Sequence, residues 1–185
     1  GSFRFAAGGS VATINGAGGA NTLDYDAANF NAAITATLTA AGSTVGFGGT
    51  ATGIGTSFDN ITAVIGDSGF NATNSLGSLN AANTWSVTGT DSGTYTSGNS
   101  INFTNFGSLT GNANTDAFTL AGGTLSGSID GAGGADTPTA GKVANNWTIT
   151  TGHGGEGTGV GGEVTNSGEH VGEAQSDAIR LAAGG

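Results

Sequence analysis

The run Ile14-Asn15-Gly16-Ala17-Gly18-Gly19-Ala20-Asn21-Thr22 returns almost unchanged as Ile129-Asp130-Gly131-Ala132-Gly133-Gly134-Ala135-Asp136-Thr137. Each copy follows a Gly-Gly pair (Gly8-Gly9, Gly122-Gly123) and an aromatic-led alternation (Phe3, Phe5; Phe118, Leu120). A second echo links Asn83-Thr84-Trp85-Ser86-Val87-Thr88 to Asn145-Asn146-Trp147-Thr148-Ile149-Thr150. Repetition within one chain constrains the fold strongly, because it points to similar units laid side by side rather than one irregular globule.

What those units are follows from the residues available. Glycine supplies 38 of 185 positions, proline one, and charged residues only 9 %, against about 25 % in an ordinary globular chain. Disorder generally requires low hydrophobicity together with high charge. Here apolar residues make up 36 % and fall in alternating patterns, so an ordered domain, or one block of a longer array, is expected.

Period-two alternation marks the strands. Ile34, Ala36, Leu38 and Ala40 share one face. Similar patterns occur at Ile61/Ala63/Ile65, Trp85/Val87, Ile101/Phe103, Phe118/Leu120, Leu125/Gly127/Ile129 and Trp147/Ile149. Between them stand turn clusters such as Gly66-Asp67-Ser68-Gly69, Gly89–Gly93 and Gly111-Asn112-Ala113-Asn114, where Gly and Asx supply the left-handed positions of tight corners. Helix signals are few: Asp26–Ala33 has room for a turn or two. Ser176 is placed to cap Asp177–Ala183, although Ile179 and Leu181 alternate as in a strand.

The expected class is all-β. A β-solenoid, parallel and β-helix-like, is favoured by the glycine corners and the scarcity of large side chains, with a two-sheet β-sandwich as the alternative. Organisation is read as a repeat-containing β domain over 1–150, a glycine-rich loop or linker over 151–163, and a C-terminal segment over 164–185 suited to docking on a neighbour. Gly1 at the start, without an initiator Met, reads as a mature or excised segment.

The stretch from Ile101-Asn102-Phe103 through Leu109, Asp116-Ala117-Phe118-Thr119-Leu120 and on to Ile129–Thr137 resembles the strand repeats of large secreted bacterial adhesins of the filamentous-haemagglutinin type. Trp85–Thr90 fits the same pattern, and the resemblance is recognisable again at 3–25. It implies an extracellular β-helical fibre or surface layer and carries over no catalytic residue. Pro138 departs from the pattern by replacing an apolar residue; lacking an N–H, it is expected at a sheet edge or where pairing stops.

Charge narrows the partners. Three cations face thirteen carboxylates, a formal net charge of −10, which disfavours nucleic acid and anionic membranes. No apolar run approaches the ~18–20 residues of a membrane-spanning helix. With no cysteine, disulfides and thiolate metal sites are excluded. Scarce Lys and Arg with no Cys or Met suit a protease- and oxidant-exposed extracellular or cell-surface protein.

Gly131–Asp136 partly fits the calcium-binding nonapeptide of RTX repeats, but Ala132 and Pro138 break the motif and its copies are far apart. A plain glycine corner is the preferred reading. Asp130, Asp136, Asp24 and Asp26 are the calcium candidates, with Asp116 beside them. Asp24-Tyr25-Asp26 invites a paired-carboxylate reading as in glycosidases, against which stands a simple strand edge. His153 and His170 lie near glutamates without the convergent ligands that zinc needs. Trp85, Trp147 and Tyr95 could offer a sugar platform, though their alternation favours core. Sequons at Asn60, Asn71, Asn102 and Asn146 are expected by chance in so Asn- and Thr-rich a chain.

No catalytic residue and no resident cofactor other than Ca²⁺ is therefore expected, and the chain reads as a structural protein rather than an enzyme. It is expected to form a homo-oligomer or polymer, as a filament, tube or surface layer, or to be a block of a large adhesin. Candidate docking residues are Phe3 and Phe5 at one end and Ile179 and Leu181 at the other, and deletion of residues 1–9 is expected to abolish assembly. The alternatives are a carbohydrate-binding or polysaccharide-degrading β-helix module recognising surface glycans, and a calcium-stabilised surface-layer protein.

Overall fold

The computed structural model describes residues 1–139, 146–151, 154–157, 164–165 and 178–181. Its strands are β1 (Ser2–Arg4), β2 (Val11–Asn15), β3 (Thr22–Asp24), β4 (Thr35–Ala41), β5 (Phe47–Ala51), β6 (Ile54–Ile61), β7 (Ala63–Ile65) and β8 (Ser75–Gly77). There follow β9 (Asn83–Gly89), β10 (Ser92–Ser97), β11 (Asn99–Thr104), β12 (Ser108–Thr110), β13 (Asp116–Leu120), β14 (Ile129–Asp130) and β15 (Thr137–Thr139). Last come β16 (Asn146–Thr151), β17 (Gly154–Gly157), β18 (Val164–Thr165) and β19 (Ala178–Leu181). The chain is all-β, with two mixed sheets that do not close on themselves. Among the described residues there is one 3₁₀ turn, Ser68–Phe70, capped by Asp67, whose carboxylate accepts from the Gly69 amide at 2.9 Å.

The first sheet runs β1-β3-β7-β11-β10-β9-β13-β15, and the second β19-β16-β17-β18-β14-β12-β8-β4-β5-β6-β2. β1, β3, β7 and β11 pair in parallel, as do β4, β8, β12 and β14. Parallel neighbours require a crossover, normally a helix. Here the crossover includes strand in the opposite sheet: β2 lies between β1 and β3 in the chain, β8 between β7 and β11, and β12 between β9 and β13.

Parallel register stacks like on like. Leu23, Val64 and Phe103 form one row, and Ala36, Leu76, Leu109 and Ile129 form another across the core. Tyr95, Trp85 and Phe118 form a third; the Trp85 and Phe118 rings stack at 5.7 Å. Phe47 of the second sheet packs its ring 5.3 Å from that of Tyr95 in the first, so the core lies between the sheets. Each such apolar side chain removed from water contributes about 1.5–3 kcal/mol.

Three antiparallel excursions interrupt the parallel order among the described residues: β16-β17-β18 and β4-β5-β6 in the second sheet and β9-β10-β11 in the first. The last two share a device. The middle strand carries a glycine, Gly49 between Leu38 and Phe58, and Gly93 between Val87 and Phe103. A Cβ on either would stand 2.8 Å or 3.0 Å from the ring tip of Phe58 or Phe103, so glycine leaves the space the ring occupies. The third strand ends at a left-handed asparagine in both, Asn60 (φ 59°) and Asn105 (φ 62°).

Three expectations need revision. At Ile61/Ala63/Ile65 the strand is broken at Thr62, between the end of β6 and the start of β7, and β7 buries Val64 rather than Ala63 and Ile65. Asp26–Ala33 is turns rather than helix, with Asn29 and Asn31 left-handed. Ile179 and Leu181 lie in β19, parallel to β16, which answers the helix-or-strand choice. The stretch 151–163, expected as a loop or linker, contains β17, antiparallel to β16. Pro138 lies in β15, the last strand of the first sheet, as a residue without an N–H should.

Candidate docking end and acidic corner

The repeated run is a repeated corner. Asn15 and Asp130 each turn the chain in the same way: a side-chain oxygen accepts from the amide two residues on, Ala17 at 2.8 Å and Ala132 at 2.9 Å. That local bond holds both alanines left-handed, at φ 55° and 62°. In the first copy the glycine after the turn residue leaves room for the Asx that closes the corner: a Cβ on Gly16 would meet Asn21 Nδ2 at 2.5 Å. The separate corner at Gly111-Asn112-Ala113-Asn114 is built alike, since a Cβ on Gly111 would run into the Asp116 carboxylate.

On one side of the molecule the closing residues line up. Asn83, Asp116 and Asp136 occupy adjacent positions on or beside β9, β13 and β15, with Asp116 in register with Asn83. All three are buried. Asn83 Nδ2 donates to Asp116 Oδ1, the Asn112 amide donates to Asp116 Oδ2 at 2.6 Å, and the Asp116 amide donates to Asp136 Oδ1 at 2.8 Å. Asn83 Oδ1 and Asp136 Oδ2 are buried without a hydrogen-bond partner among the described residues. Burial pushes the Asp116 carboxyl up to about 6; the nearby Asp136 charge adds to this, while the Asn112 amide and Asn83 side chain oppose it. Asp136 is raised too, by burial first and then by Asp130.

The other calcium candidates sit apart from this column. Asp24 accepts from the Asp26 and Ala27 amides at 3.2 and 2.9 Å and pairs with Arg4 at 3.5 Å. Asp26 accepts from the Ser68 amide at 2.8 Å, and these Ser68 bonds hold its carboxyl below the usual range. No group of three or more metal-ligating side chains occurs among the described residues. Asp24 and Asp26, which invited a glycosidase reading, are both engaged by backbone amides, Asp24 by the turn that follows it and Asp26 by Ser68.

At the opposite edge of the first sheet, β1 and β2 are the terminal strands of their two sheets. Phe3, Arg4, Phe5, Val11 and Ile14 together line one cleft of about 340 Å³, which places both edges at the same end of the molecule. A shallower depression joins Val11 to Ile54 and Gly55. Val11 is 40 % exposed, the one large apolar side chain so exposed among the described residues. Phe3 packs partly against the core. Phe5 is buried and stacks on Tyr25, so it is structural before it is adhesive. Val11 was not legible from the sequence, because one exposed valine breaks no pattern.

Trp85 and Tyr95, considered as a sugar platform, are fully buried with ring centroids 4.6 Å apart, so no glycan can stack on them. Asn60 is buried, and its amide donates to Asn15 at 2.9 Å and to Ser43 at 3.0 Å, which removes that sequon from the surface. His153 and His170 lie outside the described residues, as do the side chains of Trp147, Ile179 and Leu181. Among the described residues no helix is long and apolar enough to cross a membrane. No family model, curated protein or solved structure matches this chain.

Proposed function

We propose that this protein is an extracellular structural block, built as a β-solenoid with inserted hairpins, that joins another copy through its β1/β2 end. The solenoid reading is supported by the parallel ladders, the crossovers through the opposite sheet and the recurring glycine corner. The observation that carries the assembly reading is the pairing of two strand edges with an apolar cleft containing exposed Val11. An unpaired edge is a template for another strand, and natural proteins guard such edges with lysine, proline or bulges. Neither β1 nor β2 contains lysine or proline. The guards here are Arg4, held beside Asp24, and an irregularity in the β2 ladder between Val11 and Thr13. If that end meets a different surface of the next copy, head to tail, the contact propagates into a filament, tube or surface layer or a long adhesin, whereas end against like end would close a dimer.

Val11→Lys tests this. Because Val11 is exposed, the substitution leaves the core intact, whereas deleting residues 1–9 would also remove buried Phe5. Sedimentation should show concentration-dependent association of the parent and only monomer for Val11→Lys, at equal melting temperature. Equal association of the two would refute the proposal. The calcium and glycan alternatives have no comparable supporting observation in the described residues.

A further inference from the structure

Asn83, Asp116 and Asp136 present a problem that ordinary burial does not solve. Two carboxyl groups occupy neighbouring rungs of a parallel ladder, about 4.8 Å apart by strand spacing, and both are withdrawn from water. Among the described residues their titratable neighbours are themselves acidic: Asp130 faces Asp136, and the phenol of Tyr95 on β10 feels Asp116. Two full charges there would repel with little screening. The partnerless oxygens flank Asp116 on both sides, Asn83 Oδ1 on β9 and Asp136 Oδ2 beside β15.

We propose that this column is a proton-held clasp: one proton retained on the Asp116–Asp136 pair joins β9, β13 and β15 in mildly acidic surroundings, and its release loosens those three strands. A protonated Asp116 gains a donor for a flanking oxygen: Asp136 Oδ2 is the acceptor that costs no existing bond, because turning the Asn83 amide to present Oδ1 would give up its 3.0 Å bond to the Ala81 carbonyl. The backbone bond from the Asp116 amide to Asp136 Oδ1 carries the coupling to the next rung. The first copy of the repeat has Asn21 where the second has Asp136, so the clasp belongs to one end of the molecule only. It holds whether or not the β1/β2 end binds another copy.

Carboxyl carbon NMR of the full, aspartate-labelled protein tests this directly. The Asp116 resonance should titrate at least one pH unit above those of Asp26 and Asp59, and Asp136 should respond in the same step. Urea midpoints should rise from pH 8 to pH 5 in the parent, while Asp116→Asn should start higher at pH 8 and stay flat. If all carboxyls titrate together below about pH 4.5, the clasp is refuted. It is equally refuted if the acid-side gain persists in both Asp116→Asn and Asp136→Asn; should either variant fail to fold, the parent titration alone decides.

Discussion

Phe5 and Tyr25 stack face to face, with ring centroids 4.5 Å apart and planes 12° from parallel, and Phe30 packs edge-on against both. This trio closes the core just beneath the open β1/β2 end. The Tyr25 hydroxyl donates to the Thr52 carbonyl at 2.7 Å, tying the first sheet's end to the second. The cleft at that end is therefore a shaped surface on a packed floor.

Phe5→Ala should cost about 3–5 kcal/mol, the range for removing a buried aromatic ring. Denaturant unfolding would measure it. A loss below 1 kcal/mol would mean that β1 does not seat on the core as described.

Gly93→Ala and Gly49→Ala should each destabilise by about 1–3 kcal/mol through overpacking. Neither glycine has a left-handed φ; the obstacle is the Phe103 or Phe58 ring and a neighbouring carbonyl where the Cβ would go. Pairing Gly93→Ala with Phe103→Leu should recover part of the loss. A double variant as unstable as the sum of the two singles would argue against that contact.

Much of the class was legible in the sequence, because period-two alternation at Trp85/Val87, Ile101/Phe103 and Phe118/Leu120 is a direct image of inward-facing strand positions. The 115-residue echo was legible too, and it marks the Asn15 and Asp130 corners. The kinship between the β4-β5-β6 and β9-β10-β11 excursions was hidden. It rests on single residues, Gly49 and Gly93, at different distances from their partners, and loops of unequal length erase any period. The acidic column was invisible for a related reason: Asn83, Asp116 and Asp136 are brought together by register, which no local pattern encodes. Asp24 and Asp26 showed the reverse, a sequence cluster that the fold uses for turns.

Stability should peak in mild acid. Asp116 and Asp136 have raised pKa values in the fold, so their contribution is fully present below the unfolded value near 3.8; that of Asp116 is lost as pH rises through about 6, and that of Asp136 as pH rises through its own raised value. Asp59, held low chiefly by its Ser43 bond at 2.6 Å, and Asp26 work the other way, losing their contribution as pH falls through their lowered values. Both are near the surface, so their effect is the smaller one. Melting temperature measured from pH 3 to pH 8.5 should therefore pass through a maximum near pH 5. A monotonic rise to pH 8 would contradict these assignments.

Hydrogen exchange at the open end tests the central claim most directly. The Thr22 amide bonds Gly1 and the Phe5 amide bonds Asp24, so by strand alternation the Arg4 amide points away from β3. On β2 the Gly16 amide bonds Asp59, which leaves Thr13 and Asn15 facing outward. If a second copy docks there, exchange at Arg4, Thr13 and Asn15 should slow as protein concentration rises, while the Val64 amide on β7 stays unchanged. Rates at those three amides that remain fast and independent of concentration would contradict the account.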